Sequence, residues 1–153
     1  MVVEVNQRVS AARDYFAKGY NCAQSVVLAF EDIMELDENS LATLAAPFGG
    51  GLGRLREVCG AVSGMALVAG KLVPCYDPSD AQSKKDNYTF VQSLCGEFRS
   101  ANGSIVCREL LGLAPIREEV EGWKPTKKRP CAELVAMAAE IVARKIETLP
   151  ARD

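Results

Sequence analysis

The chain has 153 residues, of which 48% are apolar and 25% are charged, and its formal net charge is −2. These values predict that residues 1–153 form one soluble globular domain with an adequate core, and they argue against a nucleic-acid partner. The sequence contains no histidine, which excludes Ser-His-Asp and Cys-His catalysis, His-ligated zinc and the Cys-x-x-Cys-His haem attachment.

The N-terminal residues lack a basic segment followed by a long apolar stretch, so we expect no signal peptide. The longest uncharged stretch, Val58 to Gly70, has 13 residues, whereas a membrane-spanning helix needs about 20. We therefore expect a cytoplasmic protein without a membrane span. Thiols in that compartment stay reduced unless they are catalytic, redox-sensing or metal-bound, so the six cysteines need an explanation other than structural disulfides.

Apolar residues recur at helical spacing in most long segments, and capping residues, glycines and prolines separate these segments. No segment alternates apolar and polar residues as a strand does, so we predict an all-α bundle of about six or seven helices. Residues 113 to 129 are predicted to form a polar loop with a basic run. The expected helices are Val5 to Phe16 before Gly19, Cys22 to Ile33 after the N-cap Asn21, Ser40 to Ala46 before Pro47, Cys59 to Leu72, a helix capped by Ser79 that ends near Asn102, a short helix capped by Ser104 and closed by Gly112, and a last helix with Pro130 at its first position.

The six cysteines contain no Cys-x-x-Cys pair, which counts against a zinc ribbon, a ferredoxin-type cluster and a thioredoxin motif. Four of them fall in the first turn of a predicted helix, where free backbone N–H groups and the helix dipole favour a thiolate. Basic residues lie close in sequence to three of these four. The four are Cys22, Cys59, Cys107 and Cys131, whereas Cys75 and Cys95 are expected to be small apolar fillers.

A glycine-rich segment precedes Cys59, and it matches neither the dinucleotide fingerprint nor the phosphate loop. Its glycines either make a tight connection between helices or let the backbone approach Cys59 or a bound cofactor closely. The following helix has a small-residue face that would admit a neighbouring helix, a second subunit of a homodimer or a flat ligand. The candidate cofactor-binding glycines are Gly50, Gly51, Gly60 and Gly64.

Five blocks of the sequence, in order, resemble a bacterial and archaeal family that is named for its cysteine pattern, C-GCAxxG-C-C, and regarded as redox-active. The resemblance implies that Cys22, Cys59, Cys107 and Cys131 are the defining cysteines. It also implies an association with transporter genes, and hence a transport-associated redox partner. A related domain occurs in a dimeric multihaem cytochrome to which an iron–sulfur centre is attributed. The matching blocks are Gly19–Val26, Phe48–Gly51, Cys59–Gly64, Cys107–Gly112 and Cys131–Glu140.

Three functions remain open from the sequence. Two of the four cysteines could cycle between dithiol and disulfide in a thiol-based oxidoreductase. Alternatively, four thiolates could hold an iron–sulfur cluster in an electron carrier or sensor. The third interpretation is a non-redox helical module with a structural zinc ion or no metal.

Two further expectations concern the position and the reactivity of these thiols. All four defining cysteines should gather at one site, with Cys95 elsewhere in the core. At least one of the four, with Cys59 as the first candidate, should be more reactive than an ordinary thiol, because Cys59 follows the glycine segment, starts a predicted helix and lies near Arg54 and Arg56 in sequence.

Overall fold

The structure, a computed structural model, describes residues 4–113 and 131–150. Within these ranges the regular elements are eight α-helices and one 3-10 helix, Ala46–Phe48, so the predicted all-α class is confirmed. No helix in the described part of the chain combines the length and the hydropathy that a membrane crossing requires. The helices are α1 (Val5–Ala17), α2 (Cys22–Leu28), α3 (Glu31–Met34), α4 (Glu38–Ala45), α5 (Gly60–Leu72), α6 (Ala81–Asn102), α7 (Cys107–Leu110) and α8 (Cys131–Thr148).

Gly49–Leu52 makes one further helical turn by its hydrogen bonds, but Gly50 and Gly51 have φ angles of 68° and 71°. We therefore treat this segment as a left-handed turn and call it the glycine turn. It connects the 3-10 helix to the segment that leads into α5.

The segment from Cys22 to Ile33, predicted as one helix, is interrupted. Phe30 has φ −120° and ψ 26°, outside the helical region, and its side chain is fully buried. The Arg8 guanidinium lies 5.0 Å from the centre of the Phe30 ring and donates a hydrogen bond of 2.9 Å to the carbonyl of Ala29. The break therefore turns Phe30 into the core while α1 satisfies a carbonyl at the end of α2.

Carboxylates cap two helices at positions that differ from the prediction. Asp37 accepts a hydrogen bond from the Ser40 amide, so α4 begins at Glu38 rather than at Ser40. Asp80, not Ser79, accepts from the backbone at the start of α6. A negative charge also interacts favourably with the positive end of the helix dipole, which a serine hydroxyl cannot do.

Two other helix boundaries differ from their predicted form. The helical backbone does not stop before Pro47, because this residue lies inside the 3-10 helix that continues from α4. The hydroxyl of Ser104 accepts from the Val106 amide at 2.9 Å, so it shapes the turn before α7 rather than capping that helix directly. Except for Leu113, the predicted loop and the Pro130 helix start lie outside the described residues.

The core is centred on α2 and α5, with α8 packed against both and α1 lying along α8. The largest fully buried side chains come from five different helices and from the α2–α3 junction, so the helices share one core. These side chains are Phe30, Leu41, Met65, Leu94, Phe98 and Leu134, with Val26, Val27, Val68, Val135 and Val142.

Helices α2 and α5 approach each other closely at two glycines. A Cβ atom at Gly64 would lie 2.8 Å from the Cβ of Val26 and 3.0 Å from the carbonyl oxygen of Ala23. A Cβ atom at Gly60 would lie 3.1 Å from the Cβ of Cys22. The predicted small-residue face is therefore occupied by a neighbouring helix, and Gly64 has no room left for a flat ligand.

We predict that Gly64→Ala destabilises the protein by about 1–2 kcal/mol, because the cost of overpacking exceeds the gain in helix propensity. Gly70→Ala is the matched control, since it lies in the same helix and a Cβ there would meet nothing within 4 Å. This control should stabilise by about 0.5–1 kcal/mol. Urea denaturation of both variants measures the difference, and equal effects would contradict the close packing.

Candidate functional site

The four defining cysteines lie at helix starts, as the sequence predicts. Cys22, Cys107 and Cys131 are the first residues of α2, α7 and α8, and Cys59 is the N-cap residue of α5. Each start brings free backbone N–H groups to the neighbourhood of a sulfur atom. Four helices therefore deliver one thiol each.

All four cysteines line one cavity of about 40 Å³, which is largely enclosed. The cavity is far smaller than the roughly 300–1,000 Å³ of typical small-molecule sites, so a dinucleotide or a haem does not fit it. Its size suits water or another molecule of a few atoms. The remaining lining residues are Gly50, Gly51, Arg56, Gly60, Leu110, Leu111 and Leu134.

The convergence of the four thiols is thereby confirmed, and neither Cys75 nor Cys95 is among the lining residues. Cys95 is half-buried and packs against the core from α6, where burial raises the pKa of its thiol and Arg99 opposes that effect. Cys75 is half-buried and lies in the segment of chain that connects α5 to α6. Of the four glycines singled out in the sequence, Gly64 is the one absent from the cavity wall.

The glycine turn forms one wall of the cavity. The φ angle is also positive at Leu52, the last residue of the turn, and at the next two residues, Gly53 and Arg54, with values of 68°, 56° and 66°. A non-glycine residue in this conformation costs roughly 1–2 kcal/mol, so the surrounding contacts must hold the segment in place. A Cβ atom at Gly51 would lie 2.7 Å from the Cβ of Cys107. The backbone thus approaches Cys107, not Cys59 as the sequence suggested.

Two short extended segments hold Cys59 and Cys107 beside each other. Val58 and Val106 form an isolated antiparallel bridge. The Cys59 amide donates to the carbonyl of Ile105 at 2.8 Å, and the Cys107 amide donates to the carbonyl of Glu57 at 2.6 Å. These hydrogen bonds fix the starts of α5 and α7 relative to each other.

The thiols of Cys22 and Cys131 contact each other through a hydrogen bond. This bond is the largest cause of the raised pKa of Cys22, followed by burial and by the charges of the other cavity thiols. The Cys22 thiol therefore keeps its proton and donates it toward the Cys131 sulfur.

Cys59 is only 4% exposed, and burial raises the pKa of its thiol to about 11. Hydrogen bonds from the Ala61 and Val62 amides lower this pKa but do not offset the burial. This raised pKa argues against the expected high reactivity of Cys59. The dipole at the start of α5 is outweighed by the loss of solvent.

Arg56, which the sequence placed near Cys59, contacts a different thiol. Its Nη1 atom donates to the Sγ atom of Cys107 at 3.8 Å. Arg54 is exposed and does not line the cavity. Proximity along the chain therefore misassigned the arginine, since the bridge between Val58 and Val106 brings Cys107 within reach of Arg56.

Four thiolates are a ligand set that suits an iron–sulfur cluster or zinc. In the described ranges, however, no three Cys, Asp or Glu side chains are grouped so that they could hold one metal ion. Cys22 and Cys131 are turned toward each other, while Cys59 and Cys107 are engaged by backbone amides and by Arg56. As arranged here, the thiols do not fit a four-ligand metal centre.

The sequence model of one protein family, described as "Putative redox-active protein (C_GCAxxG_C_C)", matches residues 20–145. The chain belongs to this family. The match spans all four helix starts that form the cavity, and the description of the C_GCAxxG_C_C family supports a redox role. Neither a curated protein nor a solved structure gave a significant match to the chain.

The raised pKa of Cys59 predicts a loss of stability at alkaline pH. An unfolded thiol ionises above about pH 8.5, whereas folded Cys59 keeps its proton up to about pH 11. The stabilising contribution of Cys59 is therefore complete below pH 8.5 and is lost as the pH rises toward 11. The expected loss is roughly 2–3 kcal/mol by pH 10.5.

The measurement is urea denaturation of reduced wild type and Cys59→Ala between pH 8 and pH 10.5. The stability advantage of wild type over the variant should shrink by that amount across the range. Val62→Ala is the control, because it removes buried volume in the same helix without a titrating group. A pH-independent effect of Cys59→Ala would contradict the assigned pKa.

Proposed function

We propose that this protein is a dithiol–disulfide redox protein in which Cys22 and Cys131 are the cycling pair. The contact between their two thiols carries the proposal. A disulfide needs two sulfur atoms that can reach bonding distance with little backbone movement, and these two already share a hydrogen bond.

The roles of the two thiols follow from their hydrogen bond. Cys22 is held in its protonated form, and Cys131 at the first turn of α8 is the acceptor sulfur. A donated hydrogen bond and the N-terminal helix dipole both stabilise a thiolate at Cys131. Cys131 is therefore the attacking sulfur, and Cys22 is the resolving one.

The exchange with a disulfide substrate has two steps. The Cys131 thiolate attacks one sulfur of the substrate disulfide, so that a mixed disulfide forms and the other substrate sulfur leaves as a thiolate. Cys22 then attacks the Cys131 sulfur, the S–S bond to the substrate breaks, and the departing substrate sulfur takes up the Cys22 proton. The substrate gains two electrons, and Cys22 and Cys131 lose them as their disulfide forms.

Exposure supports this pair over the other two thiols. Cys22 and Cys131 are half-buried, whereas Cys59 and Cys107 are buried. A partner's disulfide must reach the sulfur along the line of the bond that breaks, which requires access from solvent. The pair at the starts of α2 and α8 is therefore the one suited to exchange with a partner.

The metal alternatives predict different chemistry from the same thiols. An iron–sulfur protein absorbs visible light and contains iron, and a zinc protein is colourless but contains bound metal. The thiol pairing favours neither, because Cys22 and Cys131 interact with each other and no three cavity thiols among the described residues are grouped as ligands of one metal ion.

The test is a redox titration of the anaerobically purified full chain in reduced and oxidised dithiothreitol, followed by alkylation and peptide mass mapping. We expect a Cys22–Cys131 disulfide to form in one two-electron transition. Cys22→Ser and Cys131→Ser should each abolish that transition, and Cys95→Ser should leave its midpoint unchanged.

Two results would overturn the proposal. One is stoichiometric iron or zinc in the purified protein. The other is full alkylation of both Cys22 and Cys131 after equilibration in the most oxidising buffer.

A further inference from the structure

We infer that the Arg56–Cys107 pair is the point at which a small hydroperoxide oxidises this protein. The inference rests on the proposed dithiol function, because a second cavity thiol must form a disulfide with the oxidised sulfur. It adds a class of substrate, the hydroperoxides, and it gives Cys107 a role that the exchange at Cys22 and Cys131 does not include.

Arg56 is held rigidly against Cys107. Its backbone has a φ angle of 62°, its amide donates to the carbonyl of Gly50 at 3.1 Å, and its own carbonyl accepts from the Arg108 amide at 3.2 Å. The first bond ties Arg56 to the glycine turn, and the second ties it to α7. Its guanidinium reaches the Cys107 sulfur at 3.8 Å from this fixed backbone.

The guanidinium supplies the only charged side chain among the described residues that line the cavity. A cation at the reacting sulfur stabilises the negative charge that develops on the leaving oxygen as a peroxide bond breaks. Arginine also carries five N–H donors in a planar fork, so one can contact the sulfur while others bind an oxygen atom. Arg56 can therefore orient both reacting partners at once.

The size of the cavity selects the oxidant. Cys107 is only 7% exposed, and the cavity beside it has a volume of about 40 Å³. A protein disulfide or a peptide disulfide is too large to reach that sulfur along the line of its breaking bond. A hydroperoxide has two reacting oxygen atoms and a small or absent substituent, and so it fits.

The reaction balances with the groups already present and the peroxide. The Cys107 sulfur gives up its proton and attacks one peroxide oxygen, an S–O bond forms, and the O–O bond breaks. The leaving oxygen takes up the proton that the thiol released and departs as water or an alcohol, which leaves Cys107 as a sulfenic acid. A second cavity thiol then attacks the Cys107 sulfur, an S–S bond forms, and hydroxide leaves with that thiol's proton as water.

The two steps oxidise two thiols by two electrons and reduce one peroxide. Cys59 and Cys22 are both candidates for the second thiol, since both line the cavity that Cys107 lines. A dithiol reductant returns the disulfide to two thiols by exchange and becomes a disulfide itself.

The experiment measures the second-order rate constant for oxidation of the reduced, metal-free full chain by hydrogen peroxide. Dimedone traps sulfenic acid during the reaction, and peptide mass mapping locates the adduct. We expect the first adduct on Cys107. Arg56→Asn should lower the rate constant at least tenfold, and Arg56→Lys should restore part of it.

Asparagine is chosen because it tolerates positive φ angles better than most residues, so the variant loses the guanidinium without adding backbone strain. Arg56→Gly is a second variant with the same purpose. Arg54→Asn is the matched control, since Arg54 has a φ angle of 66°, carries the same charge and does not line the cavity. Its rate constant should stay within twofold of wild type.

Three outcomes would overturn the inference. The adduct could form first on another cysteine, the Arg56 and Arg54 variants could be slowed equally, or oxidised glutathione could oxidise Cys107 faster than peroxide does. If Cys22 and Cys131 still form a disulfide in the dithiothreitol titration, only the peroxide inference fails. If that disulfide is absent as well, the proposed dithiol function fails with it.

Discussion

The close packing of α2 against α5 is the constraint on which the cavity depends. Gly60 and Gly64 let the two helices approach until a single Cβ atom would collide with Cys22 or Val26. This contact fixes the starts of both helices, and each start carries a cysteine. The other two thiols are then added by α7, which the Val58–Val106 bridge ties to α5, and by α8, which packs on α2 and α5.

Four thiols of the same kind, all at helix starts, acquire different properties from their immediate neighbours. Cys22 donates to another thiol, Cys59 is isolated from solvent beside two backbone amides, and Cys107 is in contact with a guanidinium. The helix dipole is common to all four, so it cannot distinguish them. Burial and side-chain partners decide which sulfur keeps its proton and which one can attack.

Much of this arrangement was accessible from the sequence because helical periodicity and capping residues are local signals. Asn21 is the predicted N-cap residue of α2, and its capping box with Gln24 places Cys22 at the first helical position. The break at Phe30 was missed because it depends on a contact with Arg8 from a distant part of the chain. Ser79 with Gln82 fits the capping-box pattern, but the side chain that accepts at the start of α6 is that of Asp80, and Ser79 instead donates to Asp77.

The site shows the same division between local and distant information. The helix-start positions of the four cysteines could be predicted, and so could their convergence. The partner of Arg56 could not, because the bridge joins Val58 to Val106 from a distant part of the chain and brings Cys107 to the arginine. The high pKa of Cys59 was equally inaccessible, since it results from the burial of this thiol in the folded chain.

The guanidinium of Arg56 gives the cavity wall a positive charge. A guanidinium remains protonated at any physiological pH, so its charge inside the cavity is permanent. Its Nη1 atom donates to the Cys107 sulfur from a backbone that is tied to the glycine turn and to α7. Without Arg56 the described cavity wall would consist of cysteines, glycines and leucines alone, so this one side chain sets the charge of the cavity.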